Sequence, residues 1–338
     1  MARRYNIQDI AQLAGVSRGT VSRVLNDSPA VSADTRKRVL DVIEQMNYLP
    51  SFSARHMRTN NSNRVGFGLI TDEVITTPYA VEMISGAQET LWAQGKVMLV
   101  VNAGYGKALT EVSLAALLER RVEGIIYATM FHHSVELPPQ IAQVPVVLAN
   151  CYTSNRTHPS IVPDEAGGGY TATKTLLEKG HRRIGFINLS APKPEFYPIP
   201  AAVGRLAGYK QALAEYDLPF DTALLRHTDG SAYTIYRYVE EFVHLPNAPT
   251  AIFCGNDRTA MSCYGGLAQL GLRIPDDMAV IGFDNQLDIA QGLWPPLTTI
   301  QLPHYAMGKW AVEYLMSEHS GDPDQHKLDC PLVMRESV

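Results

Sequence analysis

The chain is 338 residues long, with a net charge of −5, 46% hydrophobic and 19% charged residues. That length suggests two or three domains with ample core, and the composition is that of an ordinary soluble globular protein. No run approaches 18 apolar residues and Met1–Tyr5 leads directly into a polar amphipathic segment, so neither a membrane span nor an export signal is expected and the cytoplasm is the expected compartment. Cys151, Cys254, Cys263 and Cys330 are scattered, with no CxxC pair, which reads as buried reduced thiols and not as zinc ligands or disulfides.

Ile7, Ile10, Ala11 and Ala14 stand at helical spacing and predict a short amphipathic helix. Gly15 follows where a helix ends left-handed, Val16 plugs the turn, and Ser17 is placed to cap a second helix whose inward face is Val21, Val24 and Leu25. Two short helices across a Gly-containing turn make a helix-turn-helix, whose second helix fits the DNA major groove. That helix exposes Arg18, Thr20, Ser22 and Arg23, all hydrogen-bond donors and none acidic.

On pattern alone an ordinary helical hairpin is the commoner case, and charge tilts the balance. Residues 1–64 carry ten Lys and Arg against five Asp and Glu, while residues 65–338 carry nineteen against twenty-nine. Basic charge gathered on one small unit of an acidic chain reads as a nucleic-acid headpiece. A third helix is predicted from a Ser32 cap to about Met46, burying Val39, Ile43 and Met46, and residues 47–50 (NYLP) stop it. Residues 51–58 (SFSARHMR) are too few for a stable isolated helix, and 59–63 (TNNSN) form a polar linker.

From Arg64 onward, short β-branched runs alternate with helical patterns. Strands are predicted at 65–71, 97–102, 123–128, 145–149, 184–189, 250–254 and 279–283, with helices near 79–95, 110–121, 165–180, 201–217, 232–244 and 257–271. This alternation predicts an α/β fold of parallel sheets covered on both faces. Over some 270 residues it fits two doubly wound sheets better than one, with ligands in the cleft at the carboxyl ends of the strands.

Several spaced motifs stand in one order: AGVSRGTVSRVLN at 14–26, VSADTRKRVLDVIEQMNYLP at 31–50, SARHMR at 53–58, GHRRIGFI at 180–187, GRLAGY at 204–209, TAIFCGND at 250–257, LRIPDDMAVIGFDN at 272–285 and PPLTTIQLPHYAMG at 295–308. With these the chain resembles, nearly end to end, the lactose-repressor (LacI/GalR) family of bacterial transcription regulators. The resemblance implies a homodimer with a helix-turn-helix headpiece over residues 1–50, a hinge helix and linker over 51–64, and a periplasmic-binding-protein-like core over 65–338. The expected lobes span about 65–164 with 295–321, and about 165–294 with 322–338. The implied partners are a pseudo-palindromic duplex operator, a second copy of the chain and a small polar effector of sugar type, with no membrane, metal or cofactor.

By position in the family motif, Arg18 and Gly19 occupy the operator-reading sites of the recognition helix, with Arg23 a turn later. Ser17, Thr20, Ser22, Asn26 and Tyr48 fall among the DNA-contacting positions, chiefly as phosphate anchors, and Arg18 itself has the alternative role of a phosphate clamp. Ala54, Arg55 and Met57 match the hinge. Met57 stands where relatives carry a leucine that wedges into the minor groove.

The family's effector positions map onto Asn150, Arg205, Asn256, Asp257 and Asp284, and Tyr79, Phe131 and Trp294 are candidate aromatic walls. Two structural alternatives stand beside these assignments: Asp257 as a helix cap, and Asp284 paired with Arg205 in the unliganded protein. Three departures matter: Asn150 followed by Cys151, no large aromatic within 229–232 although Tyr233 is adjacent, and Leu302 where glutamine is frequent. They prevent any named sugar from being carried over.

Other classes find little in the chain. A nucleobase- or nucleoside-dependent corepressor remains the second reading. A sugar-active enzyme is disfavoured because Ser190 lacks a GxSxG elbow, no HExxH or Walker loop occurs, and the His132–His133 pair stands alone. Gly167, Gly168 and Gly169 are read as easing a turn. An exported solute-binding protein would have no use for residues 1–58. No leucine heptad follows Met334, so no coiled-coil tetramer is expected.

Overall fold

The structure is a computed structural model, and it describes residues 5–25, 28–46, 48, 65–71, 78–103, 107–190, 199–318, 323 and 325–338. The chain divides into two compact units, Met1–Arg64 and Val65–Val338.

The first unit contains α1 (Ile7–Leu13), α2 (Arg18–Leu25) and α3 (Ala33–Gln45). Asn6 starts α1 through a capping box: its side chain accepts from the Gln8 and Asp9 amides while Asp9 accepts from the Asn6 amide. Gly15 takes φ +64°, where a side chain would strain the turn. Ser17 Oγ accepts from the Thr20 amide at 3.1 Å and so starts α2, and Ser32 caps α3 through Thr35. Ile10, Ala11, Ala14, Val21, Val24 and Val39 form the small core, with Val16, Ile43 and Met46 packed against it.

The second unit holds two six-stranded sheets. The first is built from β1 (Val65–Thr71), β2 (Val97–Asn102), β3 (Gly124–Ser134), β4 (Val146–Tyr152), β5 (Ser160–Pro163) and β11 (Gln325–Leu328), in the order β11-β5-β4-β3-β1-β2 and entirely parallel. The second contains β6 (Ile184–Leu189), β7 (Leu225–Thr228), β8 (Ala251–Cys254), β9 (Ala279–Asp284), β10 (Thr298–Gln301) and β12 (Leu332–Val333). Its order is β12-β10-β9-β8-β6-β7, with only the β10–β12 pair antiparallel.

Helices α4 (Pro78–Trp92) and α5 (Lys107–Glu119) follow β1 and β2. In the second lobe α6 (Glu165–Glu178), α7 (Pro200–Glu215), α8 (Ala232–Val243) and α9 (Asp257–Gln269) alternate with the strands, and a short α10 (Leu287–Ala290) follows β9. Both faces of each sheet are thereby covered, which is why β4, β8 and β9 are buried along almost their whole length and largely apolar up to the polar residues at their carboxyl ends.

The lobe boundaries differ from the expected ones. β10 lies in the second sheet, so the chain returns to the first lobe only at α11 (His304–Met316), which packs on α4, and not at residue 295. β11 then completes the first sheet, and β12 returns to the second. β10, β11, β12 and the short β5 and β7 escaped the sequence reading because two to four residues are too few to establish a period. Gly167–Gly169 do not ease a turn. A Cβ on Gly169 would lie 2.4 Å from the Arg205 carbonyl, and one on Gly208 would lie 2.1 Å from that of Ala166. The glycines therefore let α6 and α7 cross backbone to backbone, which fixes where Arg205 points.

Candidate functional site

In the headpiece, α2 presents Ser17, Arg18 and Arg23 to solvent, with Thr20 and Ser22 half-buried and no acidic residue in its first turn. Ser17 and Thr20 share a 3.0 Å hydroxyl contact. A Cβ on Gly19 would make ordinary contacts at 3.6 Å with Ser17 Oγ and Arg23 Nη2, so packing does not require the glycine. Tyr48 is 6% exposed and packs within the headpiece core. Asn26, Ala54, Arg55 and Met57 lie outside the described residues.

Between the lobes of the second unit lies a cleft of about 490 Å³, within the range of small-molecule sites. Tyr79, Asn150, Arg205, Asn256 and Asp284 line it, together with His132, Glu165, Ser190, Leu302 and His304. Arg205 is the hub. It is 3% exposed, its Nε donates to Glu165 Oε2 at 2.7 Å, its Nη1 donates to the Gly255 carbonyl, and its Nη2 stands 3.7 Å from Asp284 Oδ1. Its guanidinium lies over the Phe283 ring at 3.7 Å. The unliganded pairing of Asp284 with Arg205, weighed from sequence, is therefore present in loose form.

Asp284 also accepts from the Tyr79 hydroxyl at 2.6 Å and from Gln286 Nε2 at 3.2 Å. Burial raises its carboxyl above the ordinary range, and Arg205 and Tyr79 work against that rise. Burial and the neighbouring carboxylate likewise push the Tyr79 phenol well up, so it stays a donor. Two cleft positions hold left-handed or related backbone: Asn150 at φ +58° and Asp284 at φ +114°. Such conformations cost about 1–3 kcal/mol each and need support. Asn150 has it from Thr129, whose hydroxyl donates to the Asn150 carbonyl while Asn150 Nδ2 donates to the Thr129 carbonyl, both at 3.0 Å. Asn256 Oδ1 caps α9 through the Thr259 amide at 2.8 Å, leaving its Nδ2 for the cleft.

Two expected effector residues stand elsewhere. Asp257 is fully buried and accepts from the Gln286 amide at 2.7 Å and from Thr299 Oγ1 at 2.6 Å, so it braces the segment after β9 from behind. Trp294 is 86% exposed on the surface and does not line the cleft. The Phe131 side chain lies outside the described residues.

Glu165, His132 and His304 are among the cleft residues that were missed. Glu165 opens α6 and its partner Arg205 lies in α7, and a pairing 40 residues apart leaves no local signal. His132 was set aside as an isolated pair member, but the β3–β4 ladder slips between Ala128 and His133, beside the cleft-lining His132. His304 begins α11, immediately after Leu302 and Pro303 at the second lobe crossing. The His132 ring nitrogens and His304 Nδ1 are buried without hydrogen-bond partners. Burial lowers both imidazoles to about 4, so both rings are neutral near pH 7.

Residues 65–336 match the model of periplasmic binding proteins and the sugar-binding domain of the LacI family. Residues 6–51 match that of bacterial regulatory proteins of the lacI family. The chain belongs to the LacI family.

Its relatives in that family include the HTH-type transcriptional repressor PurR of Photobacterium profundum, 31% identical over 98% of each chain. The sucrose operon repressor of Escherichia coli is 33% identical over 98% of this chain and 99% of its own. Among solved structures, the transcriptional regulator CelR in complex with cellobiose superposes with a TM-score of 0.67 at 27% identity, covering 99% of this chain and all of that one. As a LacI-family protein the chain is a DNA-binding transcriptional regulator with an effector domain of the periplasmic-binding type. Among the described residues, no helix is long and apolar enough to cross a membrane.

Proposed function

We propose that the chain represses transcription as a homodimer on a pseudo-palindromic operator in the cytoplasm, and that a sugar-like molecule bound between the lobes releases it. Arg18 reads base edges from α2, and Met57 wedges the operator centre open. The observation that carries the effector half is the Arg205 cluster: a buried guanidinium held between Glu165 and Asp284 at the mouth of two lobes. Polar groups converging on a cleft between two lobes suit a small hydroxylated ligand. The relatives that repress a sucrose operon and that hold cellobiose support the same class.

Tyr79 belongs to the first lobe and Asp284 to the second, so a ligand hydroxyl that takes the place of the Tyr79 hydroxyl alters how the lobes meet. To move the population from 1:99 to 99:1 the ligand must prefer one arrangement by about 5.5 kcal/mol. The cleft binds its effector and releases it unchanged.

The test is a gel shift of the full chain on palindromic and random duplexes at several salt concentrations, with and without saccharides. A preference for one palindrome, relieved by a saccharide in the wild type and not in Arg205→Ala, is expected. Equal affinity for every duplex at every salt concentration overturns the reading, because phosphate neutralisation alone gives that result.

A further inference from the structure

The charges and the idle hydrogen-bonding groups of the cleft together restrict what it takes. Arg205 already faces Glu165, the Gly255 carbonyl and Asp284, so its positive charge is matched twice over. Asp229 and Arg258 at the rim offset one another, which leaves the lining net negative. The two histidines are neutral, and a neutral imidazole carries one N–H donor and one acceptor nitrogen. The buried groups that await partners, both nitrogens of His132 and Nδ1 of His304, therefore need a ligand that both gives and accepts hydrogen bonds. A hydroxyl does both. A phosphate or carboxylate only accepts, and would sit beside two buried carboxylates.

Resting on the reading of the cleft as the effector site, we propose that the effector is an uncharged, hydroxyl-rich molecule, a neutral saccharide, and that His132 and His304 determine its specificity. The same cleft rejects phosphorylated and acidic sugars. His132 and His304 line the cleft from the first lobe, and Arg205, Asn256 and Asp284 line it from the second. Leu302 supplies apolar surface for the C–H edges of a ring. His304 is held against Tyr79, ring centroids 5.1 Å apart, and His132 against Tyr152 at 5.6 Å, so both rings are preset without a hydrogen bond of their own.

The experiment is calorimetric titration and thermal shift of the full chain at neutral pH. The probes are glucose, fructose, ribose, sucrose, maltose and cellobiose, then glucose 6-phosphate, fructose 1-phosphate and gluconate, and finally hypoxanthine and guanosine. A neutral saccharide is expected to bind, with any phosphorylated or acidic counterpart weaker by about tenfold or more. His132→Phe combined with His304→Phe is expected to weaken that saccharide by about tenfold without lowering the unliganded melting temperature, because the removed nitrogens had no partners. If the double variant folds poorly, His132→Gln and His304→Gln, each retaining a donor and an acceptor, are expected to bind better than the matching Phe variants.

Binding of a phosphate, an acid, a nucleobase or a nucleoside as tightly as any neutral saccharide overturns the proposal, as does binding of none of the saccharides or unchanged affinity in the histidine variants. Arg205→Ala separates this failure from that of the broader reading. A charged ligand whose binding is lost in Arg205→Ala leaves the cleft as effector site and removes only its neutral character. A ligand whose affinity survives Arg205→Ala binds elsewhere and removes both.

Discussion

The Tyr79 hydroxyl donates to the Asp284 carboxylate at 2.6 Å, and this bond joins the first helix of one lobe to the last residue of β9 in the other. The two residues are 205 positions apart, and Gln286 braces both partners of the bond. A donor to a buried carboxylate contributes about 1.5–3 kcal/mol. Tyr79→Phe removes it while keeping the ring against His304. Thermal unfolding of the unliganded protein is expected to show a loss of about 1–2 kcal/mol, and hydrogen exchange is expected to speed up at the N-terminal end of α4. Unchanged exchange there would show that the bond does not hold the lobes together.

Arg205 balances two buried carboxylates, so its removal strands both Glu165 and Asp284. Breaking such a buried pair from one side costs about 3–5 kcal/mol. Arg205→Ala is expected to lower stability by that amount in denaturant unfolding, and Arg205→Ala combined with Glu165→Leu is expected to recover part of it. A single variant as stable as wild type would mean that water reaches the carboxylates.

Asp257 gives the core a pH dependence. Burial, with Asp284 adding to it, raises its carboxyl from 3.8 to about 7. A folded-state value above the unfolded one contributes stability that is present at low pH and lost as pH rises through the folded value. The two lowered histidines act in the opposite sense: their contribution is lost as pH falls through the unfolded value of 6.5 toward 4, which offsets part of the Asp257 effect near pH 6.5. Between pH 6.5 and 8 the wild type is therefore expected to lose about 1 kcal/mol through Asp257. Asp257→Asn keeps an oxygen for the Gln286 amide and is expected to remove that part of the loss, which paired denaturation curves at the two pH values would measure.

Gly19 weakens α2 for no packing reason. In a helix interior alanine is favoured over glycine by about 0.8–1.0 kcal/mol. Gly19→Ala is expected to slow amide exchange in α2 about fivefold and at the same time weaken operator affinity, because the new methyl lies beside Ser17 and the Arg23 guanidinium. Slower exchange with unchanged operator affinity would remove Gly19 from the DNA interface.

The helices of the headpiece were legible because each is written within a few residues: a capping side chain, a 3.6-residue stripe and a glycine at a left-handed turn. Ser17 and Ser32 cap where the sequence reading placed them. Most long strands and helices of the core were legible for the same reason, but α11 (His304–Met316) was not among the predicted helices, and β10, β11 and β12 were too short to show a period. Asp257 and Asn256 show the limit within the site. Adjacent in sequence at the start of α9, they point different ways, Asn256 to the cleft and Asp257 to Thr299 and the Gln286 amide. Trp294 was misplaced because a crossover in sequence does not say which side of the chain meets the cleft.

From the amino-acid order alone came the basic helix-turn-helix unit, the two-sheet α/β core and the positions of Arg205 and Asp284, since local periodicity and spaced motifs operate over short stretches of chain. Only the tertiary structure decided that Glu165 neutralises Arg205, that His132 and His304 line the cleft with buried, unpartnered nitrogens, and that Asp257 and Trp294 do not line it. The reason is physical: burial and partnership depend on which distant segments the lobe crossings bring within hydrogen-bond reach. No short-range pattern records that distance.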